Sequence, residues 1–600
     1  MSWFKTSYGY TIEHDGIYYS IIDNTAHVTG VNGLYFTSVN DSVVNIPETV
    51  NGIPITIIDE RAFHSISWLK SVNIGNSVTH IGYSAFSGCT ALTDCHIGNS
   101  VTHIGYSAFS GCTALTNCDI GNSVITIGDY AFYSCKALTD CHIGNSVTHI
   151  GYRAFSDCTA LTNCDIGNSV ITIGDYAFYS CKAMTDCHIG NSVTHIGYSA
   201  FSNCTAMTDC HIGNSVTHIG NYAFYGCTQL QKVNITDIAA WCKIDFSFIQ
   251  GGYANTIDDK VPSELFYGGN PLKEAHRLYL NQEEVTNLIV PETVDSISHG
   301  AFMGCLSLKS VDTGSHVSHI GARAFVGCDN LEEVTIGKSI KDIGDDLHLY
   351  TYGAFTHYSH YGAFPSELER IILKAEYCTD LGNVNYSEQE TDYNELIIDE
   401  EVKYLPDALT WGHSSPTIIY FNAKNCILGP PAASNRHNGI SNFKELTRII
   451  IGNKVESIGD SVLYVDGDWN KIDTITIHAI TPPTITACFT GISAGDGTLD
   501  DATYKNTVLE VPQGTLNAYK NATGWKEFLN IVEMDSETIP TSGDANGDGK
   551  VSIDDVTSLI DYLLSGNVTQ FNVVNADVDE DGSITIADVT ALIDLLLSGN

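Results

Sequence analysis

Two stretches of this 600-residue chain carry side chains whose type and spacing can do chemistry. In the first, Asp544, Asn546, Asp548, Lys550, Ser552 and Asp555 stand at positions 1, 3, 5, 7, 9 and 12 of a twelve-residue segment, with Gly549 at position 6. In the second, Asp577, Asp579, Asp581, Ser583, Thr585 and Asp588 hold the same positions, with Gly582 at the sixth. Carboxylate, amide and hydroxyl oxygens at alternate positions make a hard, oxygen-rich cage, and the glycine permits its sharp turn. Lys550 contributes there through its backbone carbonyl. Such a cage suits calcium, a hard cation that takes many oxygen ligands. One segment of this kind arises by chance in an acidic chain; two in matching register do not. Two Ca2+ ions are therefore expected, one per loop.

Each loop runs into an apolar stretch of helical period, Val556 to Gly566 and Val589 to Gly599. Residues 544–600 hold eleven acidic residues and one lysine, a net charge of −10. Without a cation these carboxylates repel one another, so the module is expected to be unfolded in chelator and helical in calcium.

A second set of candidates lies in columns. His96, Asp119, His142, Asp165, His188 and His211 recur at one spacing. The position two residues earlier reads Asp94, Asn117, Asp140, Asn163, Asp186, Asp209. A further column holds His80, His103, His149, His195 and His218, with Thr126 and Thr172 interleaved. On stacked strands such residues sit about 4.8 Å apart. They then form either a zinc-binding or pH-sensitive face, or a solvated polar position copied many times. Tyrosines and histidines crowd residues 346–361, where aromatic rings could stack on sugars. No HExxH, P-loop or GxGxxG pattern occurs, and no catalytic residues are assigned.

What must position these residues is a repeat. Phe63, Phe86, Phe109, Phe132, Phe155, Phe178, Phe201 and Phe224 follow one another at a fixed 23-residue interval, the mark of a solenoid whose coils bury one another. Within one repeat, Leu92, Cys95 and Ile97 alternate with polar residues as on a half-buried strand. Gly98-Asn99 bends the chain, Val101 and Ile104 point inward again, and Ala108-Phe109 closes the coil. Of the 19 cysteines, Cys89, Cys112, Cys135, Cys158, Cys181, Cys204 and Cys227 form one column and Cys95, Cys118, Cys141, Cys164, Cys187 and Cys210 another. They read as core thiols, with disulfides between coils as the alternative. No CxxC pair is present.

The pattern Leu-xx-Cys-x-Ile-Gly-Asn-Ser-Val-Thr-x-Ile-Gly-xx-Ala-Phe-xx-Cys resembles the BspA-type (Treponema pallidum-type) leucine-rich repeat, found on the surfaces of oral and gut bacteria and of some microbial eukaryotes. Cys95 and its equivalents stand where Val or Leu is usual. The resemblance implies a mainly β, right-handed leucine-rich-repeat solenoid of 23-residue repeats. The paired loops resemble a type I dockerin, a small α-helical module with two EF-hand-like calcium loops that binds cohesin modules. Where clostridial dockerins often carry Ser-Thr and basic residues, this chain has Ile553-Asp554, Ile586-Ala587, Ile560-Asp561 and Ile593-Asp594. The resemblance makes these eight the partner-binding residues of an apolar and acidic face, and the duplication lets either helix present it.

The expected organisation is an N-terminal cap (1–50), regular repeats (51–238), an insertion with a short helix and a hairpin (239–287), repeats (288–345), an irregular solenoid segment (346–440), degenerate repeats and a closing cap (441–534), a polar linker (535–543) and the dockerin (544–600). A net charge of −42 disfavours nucleic acid and anionic membranes, and no apolar run is long enough for a transmembrane helix. The first residues lack an apolar signal-peptide core; export is either by another route or directed by residues absent from this chain. The expected function is a non-catalytic extracellular or cell-surface binding protein. Its solenoid would recognise a host or microbial surface protein or glycan, and its dockerin would hold a cohesin-like partner. The alternative is a component of a polysaccharide-degrading complex.

Overall fold

A computed structural model describes residues 10–33, 42–246, 269–321, 323–343, 368–374, 394–405, 416–428, 440, 443, 445–459, 462–465, 471–485, 488–489, 491–492, 499–500, 502–534, 543–546, 550–565, 571, 573–578 and 584–598. The chain forms two compact units. One is built mainly from Met1–Leu331, the other from Glu332–Asp342, Glu367–Gly382 and Ser387–Asn600. The Tyr-rich stretch 346–361 lies outside the described residues.

The first unit is a parallel β-solenoid. Leu92 and Cys95 are buried while His96 points to solvent, and Val101, Ile104, Ala108, Phe109 and Cys112 are buried in turn. Each coil pairs with the next in the register of the repeat, as in His103 against Thr126 and Cys118 against Cys141. One parallel ladder runs through the strands Ile53–Ile58, His80–Ile81, His103–Ile104 and their equivalents to His218–Ile219. The other runs from Val43–Ile46 through Asp94–His96 and its equivalents to Lys232–Ile235 and Leu278–Leu280. On the third side, where no strands form, backbone hydrogen bonds also join the coils: the Phe109 amide donates to Ala131 O at 2.7 Å, and Phe132 to Ala154 O likewise. Close stacking forbids a side chain at the bend of Gly105. A Cβ on Gly105 would lie 2.8 Å from Ile81 O.

The eight phenylalanines fill the interior as one ladder, with centroids 4.8–5.3 Å apart and planes within 11° of parallel. The cysteine three residues after each ring from Phe86 to Phe224 has a role that volume alone does not suggest. Its thiol donates to the phenylalanine carbonyl one coil back, Cys112 to Phe86 O at 3.1 Å and Cys135 to Phe109 O at 3.2 Å. The described cysteines are buried, and burial pushes the Cys89 and Cys158 thiols up to about 12.

Ahead of the coils, Tyr10–His14, Ile17–Ile22 and Thr25–Val31 form an antiparallel meander, whose last strand pairs in parallel with Ile53–Ile58. After the eighth phenylalanine, Asp237 caps the short helix Ile238–Trp241, its Oδ1 accepting from the Ala239 and Ala240 amides. Trp241 Nε1 and Asn270 Nδ2 both donate to Ala301 O, tying this stretch to the coil that follows. There Phe302 stacks on Phe325 at 5.1 Å. Leu278–Leu280 and Glu283–Glu284 pair antiparallel, as the expected hairpin requires.

In the second unit, Glu333–Ile336, Arg370–Leu373, Glu395–Ile398, Ile418–Phe421, Arg448–Ile451, Thr474–Ile477, Val508–Val511 and Asn530–Glu533 form one parallel sheet. Three of these strands lie in the stretch whose sequence shows no regular period. Arg370 bridges Glu333 at 3.0 Å and Glu395 at 2.8 Å across adjacent strands. The sheet ends on buried aromatics: Tyr519 donates its hydroxyl to Ala479 O at 2.6 Å, and Trp525 Nε1 donates to Pro483 O at 2.7 Å. The helices Ile553–Ser565 and Ile586–Ser598 pack on each other through Val556, Leu559, Val589 and Leu592.

Candidate functional site

The two loops are built into the starts of the two long helices. Ser552 and Thr585 precede the first helical residues, and their hydroxyls accept from the Asp554 and Ala587 amides at 3.2 and 3.0 Å. Asp555 and Asp588 reach back, each accepting through Oδ2 from the Ser552 or Thr585 amide at 2.7 and 2.8 Å. This is a reciprocal capping box with aspartate at the third helical position. The other oxygen of each carboxylate closes the loop: Asp555 Oδ1 accepts from the Asn546 amide at 3.0 Å, and Asp588 Oδ1 from the Val578 amide at 2.7 Å. Position 12 of the loop is therefore also a helix cap, so the loop and the helix order together. Asn575 joins the two halves, its side-chain amide donating to Asp544 O at 3.0 Å while its carbonyl accepts from the Gly543 amide at 2.7 Å.

Asp555 and Asp588 are fully buried and Asp544 is nearly so, whereas Lys550 is exposed. Carboxylates taken out of water call for a cation, and the donor set is all oxygen. The residues present thus fit a calcium ion. Asp544, Asn546, Ser552, Asp555 and the Lys550 carbonyl would hold it in the first loop, and Asp577, Thr585 and Asp588 in the second. Asp548, Asp579, Asp581 and Ser583 lie outside the described residues.

Beyond the caps, the helices leave apolar residues in water at equivalent positions. Ile553 is 67% exposed and Ile586 78%; Leu564 is 81% exposed and Leu597 80%. Ile560 and Ile593 lie between them, each more than a third exposed. Their helical spacing puts each trio on one helix face. Asp554, Asp561, Ala587 and Asp594 are exposed beside them. The expectation from sequence included the isoleucines and not the two leucines that share their faces.

A second surface went unread. The rings of Tyr83, Tyr106, Tyr130, Tyr152, Tyr176, Tyr198 and Tyr222 follow one another along the first unit, with centroids 5.2–5.8 Å apart. Tyr133, Tyr179 and Tyr225 flank this ladder edge-on. The tyrosine alternates between two positions of the repeat, and Tyr130, Tyr176 and Tyr222 adopt left-handed backbone with φ of 56°, 57° and 59°. That conformation is strained for a bulky residue. Arg153 sits within the ladder, its guanidinium 4.7 Å from the Tyr176 centroid and its Nε donating to the Tyr152 hydroxyl at 3.0 Å. Burial, followed by the neighbouring tyrosine, raises the hydroxyls of Tyr130 and Tyr176 above their usual range.

The histidine columns do not behave alike. His96 faces Asp119 in strand register, and His142 Nδ1 lies 3.6 Å from Asp165 Oδ2. His80 and His103 stack at 4.7 Å, each Nδ1 held by the preceding threonine hydroxyl at 2.8 Å. Burial, then the adjacent His103, lowers the pKa of His80. Only at His188 and His211 do two imidazoles of the first column meet.

Comparison with known proteins agrees with this geometry. The model of the BspA type leucine rich repeat region matches six copies, over residues 35–162, 148–242 and 275–397. That of the dockerin type I domain matches residues 542–597; such domains generally bind calcium. No curated protein matches. Among solved structures, a leucine-rich repeat protein from Bacteroides ovatus is 20% identical over 74% of this chain and 95% of its own, with a TM-score of 0.36. A leucine rich cell surface protein from Faecalibacterium prausnitzii is 24% identical over 56% of this chain and 90% of its own, with a TM-score of 0.32. The Leucine Rich Repeat protein of T. pallidum is 20% identical over 38% and 85%, with a TM-score of 0.23. The family match spans more than half of the residues, and the chain belongs to the BspA-type leucine-rich-repeat proteins, with a type I dockerin domain over residues 542–597.

Proposed function

We propose that this is a non-catalytic, extracellular or cell-surface binding protein, whose dockerin fastens it to a cohesin-like module while the solenoid recognises a protein or glycan. The observation that carries the tether is the duplicated apolar face: Ile553, Ile560 and Leu564 on one helix and Ile586, Ile593 and Leu597 on the other, all left in water. Apolar residues repeated at equivalent exposed positions are what a docking helix presents to a partner. The calcium loops set those faces, because Asp555 and Asp588 hold the loop and cap the helix at once. Bound calcium supplies the positive charge that lets the carboxylates stay buried. One ion per loop is the stoichiometry we expect.

For the solenoid, the tyrosine ladder is the recognition surface we favour. Tyrosine offers large contact area with little conformational entropy to lose, and its hydroxyl serves polar ligands. Pull-down from the proteins of the surrounding community, with and without calcium, separates the two roles. A partner captured only in calcium and only by the chain that retains residues 544–600 is the cohesin-like one. A partner that persists without the module and is lost with Tyr106→Ala and Tyr152→Ala belongs to the ladder. Capture of nothing by the calcium-loaded chain would refute the tether.

A further inference from the structure

The array carries a place where its own alternation fails. From His96 to His188 the column alternates imidazole and carboxylate, and the residue two before alternates Asp and Asn. At Asp209-Cys210-His211 the Asp-Cys-His triplet of the preceding coil comes again without the intervening Asn-Cys-Asp form. Strand register therefore sets His188 beside His211 and Asp186 beside Asp209.

The imidazole rings stack with centroids 4.2 Å apart and planes within 10°. Asp186 stands against both: its Oδ2 lies 3.5 Å from His188 Nδ1 and its Oδ1 3.9 Å from His211 Nε2. Both separations are longer than a charge-assisted hydrogen bond. Asp186 Oδ1 is shielded from solvent and makes no hydrogen bond, an arrangement that costs free energy until a partner arrives. Asp209 is drawn the other way, with its Oδ1 2.7 Å from Lys232 Nζ and its Oδ2 accepting from the Thr208 hydroxyl at 2.8 Å. Among the described residues, Asp186, His188 and His211 are the one set of three whose ligand atoms lie within 4.8 Å of one another.

We propose that Asp186, His188 and His211 form a binding site for a divalent transition-metal cation such as zinc on the solenoid face. Two imidazoles and one carboxylate are a donor set of borderline softness, suited to zinc and its neighbours and poor in the oxygens that calcium requires. The three side chains all reach solvent, so water completes the shell, and small torsional changes bring the nitrogens to bonding distance. The site is independent of the dockerin and of the tyrosine ladder.

The test uses the full chain in saturating calcium, which keeps the acidic loops filled, and measures zinc by equilibrium dialysis. His211→Asn places there the residue that already stands in register on the next coil, Asn234, so the fold tolerates it. His188→Asn is the second variant and His142→Asn the control. The expected result is micromolar zinc binding, weakened at least about tenfold by His188→Asn and by His211→Asn, and unchanged by His142→Asn. Equal zinc affinity in the parent and both variants would overturn the proposal, as would no bound zinc at micromolar free metal.

Discussion

The equivalence of the two helix faces has a measurable arithmetic. If either face can engage the cohesin-like partner, the bound state has two arrangements of similar energy. Leu564→Glu removes one of them. The loss is then RT ln 2, about 0.4 kcal/mol, a factor of two in affinity. Leu597→Glu does the same. Together they remove both. Each leucine is about four-fifths exposed, so burying it at the interface contributes about 2 kcal/mol, which is about thirtyfold. The introduced carboxylate must also be desolvated, and that increases the loss. Both positions are in water in the free protein, so stability should change by no more than about 0.5 kcal/mol. Calorimetry against the captured partner, in calcium, reads the three variants against the parent. A twofold change for each single substitution and a loss of thirtyfold or more for the pair is the expected pattern. A single substitution that abolishes binding would show that one helix alone docks, and a double variant that binds normally would remove this face from the interface.

Chelation should abolish the helical circular-dichroism signal of residues 544–600 while the β signal of the solenoid persists, because Asp555 and Asp588 are buried and the loops and helix caps share them; a helical signal unchanged in chelator would refute this. Phe132→Ala should cost about 3–5 kcal/mol, read by urea unfolding, since the ring is fully buried between Phe109 and Phe155 at 5.2 and 5.1 Å; less than about 1 kcal/mol would contradict a packed ladder. The Cys89 and Cys158 thiols, pushed up to about 12 by burial, are almost wholly protonated at pH 8 and should resist a thiol-reactive dye until the chain is unfolded. Rapid labelling of the native protein at those two residues would refute that assignment.

Much of the solenoid was legible because apolar spacing and backbone register are the same thing in a repeat. Once Phe63 to Phe224 fall at one fixed interval, the buried face of each strand follows. In the second unit the same register persists at unequal offsets, with Glu333 paired to Arg370, Arg370 to Glu395, Glu395 to Ile418 and Ile418 to Arg448. Unequal numbers of residues between these strands erase the period in the sequence without disturbing the pairing. Donor spacing locates the two acidic loops in the sequence, but not the capping role of Asp555 and Asp588, since a capping box is visible only when the helix start is placed. Leu564 and Leu597 were hidden for the opposite reason. They continue an amphipathic pattern, and only packing distinguishes the side of a helix that meets its neighbour from the side that does not. The tyrosine ladder escaped because its members occupy two adjacent repeat positions, the second of which is left-handed in every coil, at Ser107 and Arg153 as at Tyr130 and Tyr176.

The near-parallel phenylalanine stack also makes the first unit a ruler. Each coil advances by one ring spacing, 5.1–5.3 Å in the interior of the array. Removing one pair of coils would shorten the array by about 10 Å and leave every remaining coil with the same kind of neighbours it had before. The reach of the array is therefore set in fixed steps of one pair of coils, and changing it by a step calls for no new kind of contact.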